Sequence, residues 1–346
     1  MWAAVARGRD ALAIERVTLP EPGAGEVRVR VRACGICGTD LHLFHAGLLP
    51  QGLTPGHEIA GVVDRCGPGV DAFAVGDTVV IEPLRSCGEC AACRAGRDSI
   101  CPQLKILGVH ESGGMAEYVV APARRLFRVP ADLSPGLAAL AEPLAVVLHG
   151  LRRGSFAPGQ RVLVLGAGTV GLLAVLAARA RGAGEVLLTA RHAHQAELGR
   201  ALGATRVLGE AEATAGALAK VARKTPADLV VETVGGTADT LRTAGAALAP
   251  GGTVAVLGVF LGAATIDPYP LFMKEGALVW SNCYARASQN HPRADFDDAV
   301  ALVDAERERL ARILTHSVPL GDTPRGFALA ADKKAGAVKV TVLPAA

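Results

Sequence analysis

The strongest constraint on the fold is a glycine motif between a strand pattern and a helix pattern. Residues 161–165 form a continuous apolar run, Gly-Ala-Gly-Thr-Val-Gly follows at 166–171, and an Ala- and Leu-rich segment continues to about residue 181. Glycines at this spacing let the backbone approach a pyrophosphate, whose charge the helix N-terminus favours. We therefore predict a dinucleotide site whose residues are Gly166, Gly168, Thr169, Val170 and Gly171.

Three more buried-strand patterns follow, at residues 185–189, 228–232 and 253–257, separated by Ala-rich helical segments. This alternation predicts a doubly wound parallel sheet in an α/β protein. Residues 1–130 instead carry short strand patterns and many glycine turns; residues 26–32 alternate strictly between polar and apolar side chains. A chain of 346 residues is long for a single core, so we expect two domains.

The end of the second strand of the sheet predicts which dinucleotide is bound. A carboxylate that grips the ribose of NAD is expected there, about 20 residues after the glycines. The sequence has Ala190, Arg191 and His192 at that point and no carboxylate. Without a carboxylate a 2′-phosphate is not repelled, and Arg191 can pair with it. We therefore expect NADP to be favoured over NAD.

Residues 34–58 offer a second kind of chemistry. Cys37, His57 and Glu58 supply a thiolate, an imidazole and a carboxylate, which are ligands that suit Zn²⁺. Thr39 and His42 lie beside the thiolate, where a proton could be passed on. The stretch therefore predicts a catalytic zinc site.

Four cysteines in one short segment predict a second metal site. Their spacing is C-x2-C-x2-C-x7-C, which can wrap a single tetrahedral ion and leaves no open position for a substrate. The set is Cys87, Cys90, Cys93 and Cys101. We expect structural zinc; an iron–sulfur cluster and a group of free thiols are the alternatives.

These motifs together resemble those of zinc-dependent medium-chain dehydrogenases, in the branch with sorbitol and threonine dehydrogenases. The resemblance extends over nearly the full length and includes Glu142-Pro143 and Leu-Ala-Pro-Gly-Gly at 248–252. It implies a GroES-like catalytic domain at 1–144 and 286–346, with a zinc lobe at 84–103, and a Rossmann domain at 145–285. It also implies two zinc ions per chain and a homodimer or homotetramer.

The resemblance further assigns roles to single residues. Cys37 and His57 are expected to bind the catalytic zinc, with Glu58 as an added carboxylate ligand. Glu142 is expected to bind the metal directly or to hold a zinc-bound water. The alternative for Glu58 is an ion pair under the nucleotide fold. Cys34 is expected to be a buried structural thiol instead. Asp40 is expected to orient the zinc-bound imidazole.

The same resemblance implies alcohol oxidation with a proton relay and raises a question about the substrate. Thr39 would accept the alcohol proton and pass it through the ribose hydroxyls to His42. Tyr284 matches a substrate-pocket residue of polyol dehydrogenases, but Cys283 stands where those enzymes have an arginine. Sorbitol is therefore doubtful, and a polyol, sugar, cyclitol, amino alcohol or simple secondary alcohol remains open.

Composition limits the partners and the cellular compartment that can be expected for this chain. The formal net charge of +3 gives no reason to expect nucleic acid or anionic membrane as a partner. Eight cysteines, four of them in one cluster, favour metal binding in a reducing cytoplasm over disulfides. Two other functions are open: a zinc-free quinone- or enoyl-type reductase of the same superfamily, and a non-enzymatic nucleotide-binding redox sensor.

Overall fold

The computed structural model describes residues 1–286 and 293–344. The chain divides into two compact units: unit 1 contains Met1–Glu142 and Ala285–Ala346, and unit 2 contains Pro143–Tyr284. The domain boundaries expected from the sequence, after residues 144 and 285, stay a prediction. No described helix combines the length and apolar composition needed to cross a bilayer.

The strands are β1 Trp2–Ala6, β2 Leu12–Arg16, β3 Glu26–Gly35, β4 Glu58–Cys66, β5 Thr78–Ile81, β6 Leu84–Arg85, β7 Lys105–Ile106, β8 Tyr118–Pro122, β9 Leu126–Arg128, β10 Arg161–Leu165, β11 Glu185–Thr189, β12 Arg206–Leu208, β13 Ala227–Glu232, β14 Leu248–Val256, β15 Ala277–Trp280, β16 Leu314–Pro319 and β17 Lys339–Leu343.

The α-helices are α1 Gly38–Ala46, α2 Ala91–Arg94, α3 Pro135–Ala139, α4 Ala141–Arg153, α5 Thr169–Ala180, α6 Ala193–Ala201, α7 Ala215–Ala222, α8 Thr240–Ala244, α9 Pro268–Met273, α10 Asp295–Ala305, α11 Arg307–Leu310 and α12 Thr323–Ala331.

Unit 2 is built on a parallel sheet of six strands in the order β12-β11-β10-β13-β14-β15. The central strand β10 is apolar because helices cover both faces of such a sheet, and Val162 and Val164 are fully buried. The helix α5 begins at Thr169, inside the glycine motif, with Gly168 directly before it. A side chain at Gly171 would place its Cβ 1.9 Å from the carbonyl oxygen of Gly166, so this position requires glycine. The predicted doubly wound α/β fold is confirmed.

Unit 1 is built on a seven-stranded sheet in which β16-β17-β3-β4-β5-β9 lie in order and β8 also pairs with β3. The alternation at residues 26–32 follows the pleat: Val27, Val29 and Val31 are fully buried, whereas Arg30 is exposed. The C-terminal strand β17 runs antiparallel to β3 and pairs Thr341 with Gly35. The C-terminal strand therefore lies beside the start of the 34–58 segment.

Candidate active site

The first part of the site is the start of α1, directly after β3. Cys37 precedes the helix, and its backbone N–H donates to Oδ2 of Asp40 at 2.8 Å. This bond satisfies an N–H near the start of the helix, and it fixes the Cys37 backbone. Thr39 and His42 follow on the same helix, three positions apart, which is the spacing of neighbours on one helical face.

The strand β4 brings the other candidate ligands to this helix. Gly35 at the end of β3 pairs with Glu58 at the start of β4. The ligand atoms of Cys37, His57 and Glu58 all lie within 4.8 Å of one another. A Cβ at Gly35 would lie 1.9 Å from a carboxylate oxygen of Glu58, so glycine makes the room for this carboxylate. The structure therefore brings the three predicted ligands together.

His57 is buried in a negatively charged surrounding. Its Nδ1 lies 3.5 Å from Oδ1 of Asp40, and both atoms lack a hydrogen-bond partner within the described part of the chain. Burial by itself lowers the pKa of His57, but the charges of Asp40 and Cys37 outweigh it and raise that pKa well above its usual value. A cation is therefore favoured at this position.

Glu58 forms a buried ion pair with Lys339, a residue that was not among the predicted site residues. Both of its carboxylate oxygens accept from Nζ of Lys339 at 2.7 Å, and the two side chains are 1% and 2% exposed. Lys339 also donates to the backbone oxygen of Ile36 at 3.2 Å. Burial lowers the pKa of Lys339, but the charges of Glu58 and Cys37 raise it above its ordinary value. Lys339 is therefore charged and holds Glu58 in place.

Glu142 is the other predicted carboxylate, and it lies outside the cluster of ligand atoms formed by Cys37, His57 and Glu58. It is buried, and its negative charge contributes to the raised pKa of Lys339. Glu142 is therefore close enough to act on the same lysine, without being among the grouped ligand atoms.

Cys34 is more deeply buried than Cys37 and tends to keep its proton. It is fully buried, and its Sγ lies 3.8 Å from the backbone oxygen of Gly35. Burial, reinforced by the charges of Asp40 and Glu58, raises the pKa of this thiol well above its usual value. A thiol that keeps its proton is a poor metal ligand.

The pKa of His42 is shifted in the opposite direction from that of His57. Burial lowers its pKa, and the positive charges of His45 and Lys333 lower it further. The imidazole is therefore held neutral at physiological pH, the form that accepts a proton.

The four cysteines of the second predicted metal site also come together. The ligand atoms of Cys87, Cys90, Cys93 and Cys101 all lie within 4.8 Å of one another. Four thiolates with no other donor match a closed structural zinc site.

A buried charge network ties this lobe to the sheet of unit 1. Arg125 is fully buried and bonds to Glu82 after β5 and to Asp98 inside the lobe. Its guanidinium also donates to Ser86 at 2.8 Å. Burial raises the pKa of Glu82 to about 7, despite the opposing charge of Arg125. The lobe is therefore attached by charge-assisted hydrogen bonds as well as by the chain.

In unit 2 the glycine motif connects the end of β10 to the start of α5. Gly166 adopts φ +100°, and Gly168 caps α5 with extended backbone. At the end of β11, Ala190 is buried and Arg191 is exposed, with its Nε 3.4 Å from Glu210. The ring of His192 stacks on that of His194 at 5.6 Å. Arg191 therefore has a carboxylate beside it, and this neighbour was not predicted from the sequence.

Comparisons with known proteins identify the family to which the chain belongs. The model of the alcohol dehydrogenase GroES-like domain matches residues 23–131, and that of the zinc-binding dehydrogenases matches residues 169–305. 2-Dehydro-3-deoxy-L-galactonate 5-dehydrogenase of Pseudoalteromonas atlantica is 34% identical over 89% of this chain and 88% of its own. The chain is a zinc-dependent medium-chain dehydrogenase.

This dehydrogenase belongs to the branch with sorbitol and threonine dehydrogenases. The sorbitol dehydrogenase of Bacillus subtilis is 35% identical over 75% of each chain. A zinc-binding dehydrogenase from Sinorhizobium meliloti, solved with NADP bound, has a TM-score of 0.87 at 34% identity, covering 99% of both chains. The resemblance inferred from the motifs is confirmed, and the dehydrogenase is an oxidoreductase.

The donor sets of the dehydrogenase fit the metal that its family implies. One thiolate, one imidazole and one carboxylate form the first group and four thiolates form the second. Both are combinations of donors that zinc accepts.

Tyr284 is buried, and Cys283 before it adopts φ +51°, an unusual conformation for a residue other than glycine.

Lys339 was not among the predicted site residues, although the sequence around it indicates a buried charge. It is the polar first residue of a strand whose next residues are Val340, Thr341 and Val342. A lysine in such a buried strand indicates a buried counter-charge.

Proposed function

We propose that this dehydrogenase oxidises a secondary alcohol to a ketone, or catalyses the reverse reaction, with NADP or NAD as hydride carrier. The grouping of Cys37, His57 and Glu58 beside the helix that carries Thr39 and His42 supports this proposal. A panel of polyols, sugars, cyclitols and amino alcohols with both nucleotides tests it. Turnover of none of them in either direction by zinc-loaded protein would contradict the proposal.

Zinc, when bound, supplies the Lewis acid that acidifies the alcohol, and the nicotinamide supplies the hydride acceptor. Cys37 and His57 would hold the metal, and Asp40 would fix the orientation of the imidazole. Thr39 would accept the hydroxyl proton and pass it towards His42. The lowered pKa of His42 suits it to receive that proton at neutral pH.

We infer that Glu58 and Glu142 have different roles towards the metal. Glu58 lies within the ligand cluster, and its negative charge is paired with the positive charge of Lys339. Glu142 lies outside that cluster, which suits a carboxylate that holds a water beside the metal. The two groups of ligand atoms support two zinc ions per chain, one catalytic and one structural.

Thr39→Ala tests the proton relay. Because the variant lacks the hydroxyl that accepts the substrate proton, we expect kcat to fall by about 10²-fold or more, as for loss of a general acid–base group. Thr39→Ser keeps the hydroxyl and is the matched control, expected to retain most activity. Steady-state kinetics from pH 6 to 10 measure both variants, and a Thr39→Ala turnover close to wild type would contradict the relay.

We propose that the nucleotide is NADP in preference to NAD. Ala190 leaves no carboxylate against a 2′-phosphate, and Arg191 is exposed and can turn from Glu210 towards it. The Sinorhizobium meliloti structure was solved with NADP.

The cofactor preference is measured as the ratio of kcat/KM values for NADP and NAD. Arg191→Ala should lower that ratio by about tenfold, since a charge-assisted bond to phosphate is worth about 1.5–3 kcal/mol. Glu210→Gln should raise it, because a competing carboxylate is removed. Arg200→Ala, an exposed arginine on α6, is the control. A wild-type preference for NAD of about tenfold or more would contradict the proposal.

The substrate is a small secondary alcohol of the polyol, sugar, cyclitol or amino-alcohol type, and Tyr284 is the proposed pocket residue. Relatives named as acting on a deoxy-galactonate derivative and on sorbitol support this class. None of the eight cysteines, all of which lie in the described part of the chain, forms a disulfide, which supports a reducing compartment, the cytoplasm.

We propose that the dehydrogenase forms a homodimer or homotetramer through the edge of the unit 2 sheet. The strand β15 lies at that edge, and large apolar side chains near it are exposed: Trp280 by 53%, Phe272 by 78% and Met273 by 60%. Exposed apolar side chains at an unpaired strand edge favour association.

Phe272→Glu tests the assembly. A charge among the exposed apolar side chains should lower the molar mass in solution towards that of one chain, 35.4 kDa. Light scattering after size exclusion measures it. Val75→Glu changes an equally exposed apolar residue of unit 1 and should leave the mass unchanged. A wild-type protein that is monomeric at micromolar concentration would contradict the proposal.

A further inference from the structure

Unit 1 has two cavities that share lining residues, and none of the proposed metal ligands lines either of them. The larger, about 440 Å³, is lined by residues of β16, β17 and the start of α3, and the smaller, about 310 Å³, by residues of β4, β5 and α3. Arg32 of β3 and Pro135 line both. Cavities of this size hold small organic molecules.

Arg32 is distinctive among the shielded cations of unit 1. It is partly buried, and within residues 1–286 and 293–344 its guanidinium has neither an ion pair nor a hydrogen bond. Three other buried cations have carboxylate partners: Arg28 with Asp64, Arg125 with Glu82, and Lys339 with Glu58. A partly buried charge without a partner is unfavourable. An anion from solution would supply the counter-charge that the described part of the protein does not give to Arg32.

The other groups lining the larger cavity are suited to oxygen atoms. Side chains bearing hydroxyl groups are Ser134, Thr315, Ser317 and Thr341, and none of the described lining residues is acidic. His316 joins them, and its Nδ1 is buried without a hydrogen-bond partner in the described chain. The apolar side chains of Leu314 and Leu343 also line this cavity, with Pro135 and Gly136.

We propose that these cavities form a binding site for a small organic oxyanion, a carboxylate or phosphate on a short carbon chain. The Arg32 guanidinium matches the planar, two-oxygen geometry of such groups. The hydroxyl groups and His316 complete its hydrogen bonds, and the leucines contact its carbon atoms. No residue of this site belongs to the proposed metal, relay or nucleotide sets, so the ligand is distinct from the substrate and the nucleotide.

Calorimetric titration of zinc-loaded enzyme tests the site, with NADPH at saturation so that phosphate cannot enter the nucleotide site. Inorganic phosphate and succinate are titrated separately; succinate has no hydroxyl group to be oxidised. We expect saturable binding of one ion per chain in at least one titration. The tighter of the two identifies phosphate or carboxylate as the preferred group. Binding of neither would overturn the proposal.

The matched variants are Arg32→Gln and Arg30→Gln. Arg30 lies on the same strand two positions earlier, is exposed and lines neither cavity. Arg32→Gln should weaken binding by about tenfold or more, since a bond to a charged group is lost. Arg30→Gln should bind within about twofold of wild type, because a distant exposed charge acts weakly. Equal affinities of the two variants would overturn the proposal.

A measurement on the wild-type chain covers the case in which Arg32→Gln does not fold. Titration of isotope-labelled enzyme should shift the amide resonances of Ser317 and Thr341. Shifts confined to residues outside the lining of the two cavities would overturn the proposal.

Discussion

Replacing Cys37 by serine should lower kcat by about 10³-fold and reduce the zinc content from two ions per chain to one. The thiolate is the one sulfur donor in the group with His57 and Glu58. Lewis-acid stabilisation is worth several kcal/mol, and about 1.4 kcal/mol corresponds to a factor of ten. Kinetics on the best substrate, with metal analysis by mass spectrometry, measure both effects.

Cys34→Ala is the matched control for this experiment. Cys34 lies three residues earlier, is fully buried and has a raised pKa that keeps the proton on its sulfur. The variant should keep both zinc ions and most of the turnover, although the small cavity will lower its stability by about 1 kcal/mol. Loss of zinc in Cys34→Ala and not in Cys37→Ser would reverse the ligand assignment.

Lys339→Met should lower the free energy of unfolding by about 3–5 kcal/mol, the usual effect of stranding one charge of a buried ion pair. The carboxylate of Glu58 is 1% exposed and receives Lys339 on both oxygens. With that lysine absent, Glu58 loses its ion-pair partner, and a metal bound in the cluster would offset its charge. Chemical denaturation of zinc-loaded and zinc-depleted protein measures the change, and we expect the larger loss without zinc.

Two further variants separate the ion pair from other effects at Lys339. Lys334→Met changes an exposed lysine of the same segment and should alter stability by less than about 0.5 kcal/mol. The double variant Lys339→Met with Glu58→Gln should recover part of the lost stability, because no uncompensated charge is left. Equal effects of Lys339→Met and Lys334→Met would contradict the proposed role of the pair.

Local patterns in the sequence were enough for the family, the α/β fold and the two groups of candidate metal ligands. The glycine motif needs its neighbours at fixed spacing, and Gly171 tolerates no side chain against Gly166. The four-cysteine segment is equally local, because one loop supplies all four thiols. Cys37, Asp40 and His42 lie at the start of one helix. Their proximity therefore follows from their short spacing in the sequence.

Only the tertiary structure revealed that Glu58 is bound by Lys339, which lies 281 positions away in the chain. It also placed Glu142 outside the ligand cluster and Glu210 beside Arg191. These relations join residues from separate strands and loops, and the sequence carries no spacing rule for such pairs. Strand pairing decides them: β17 lies against β3, so a charge near the C-terminus becomes the counter-ion of a candidate zinc ligand.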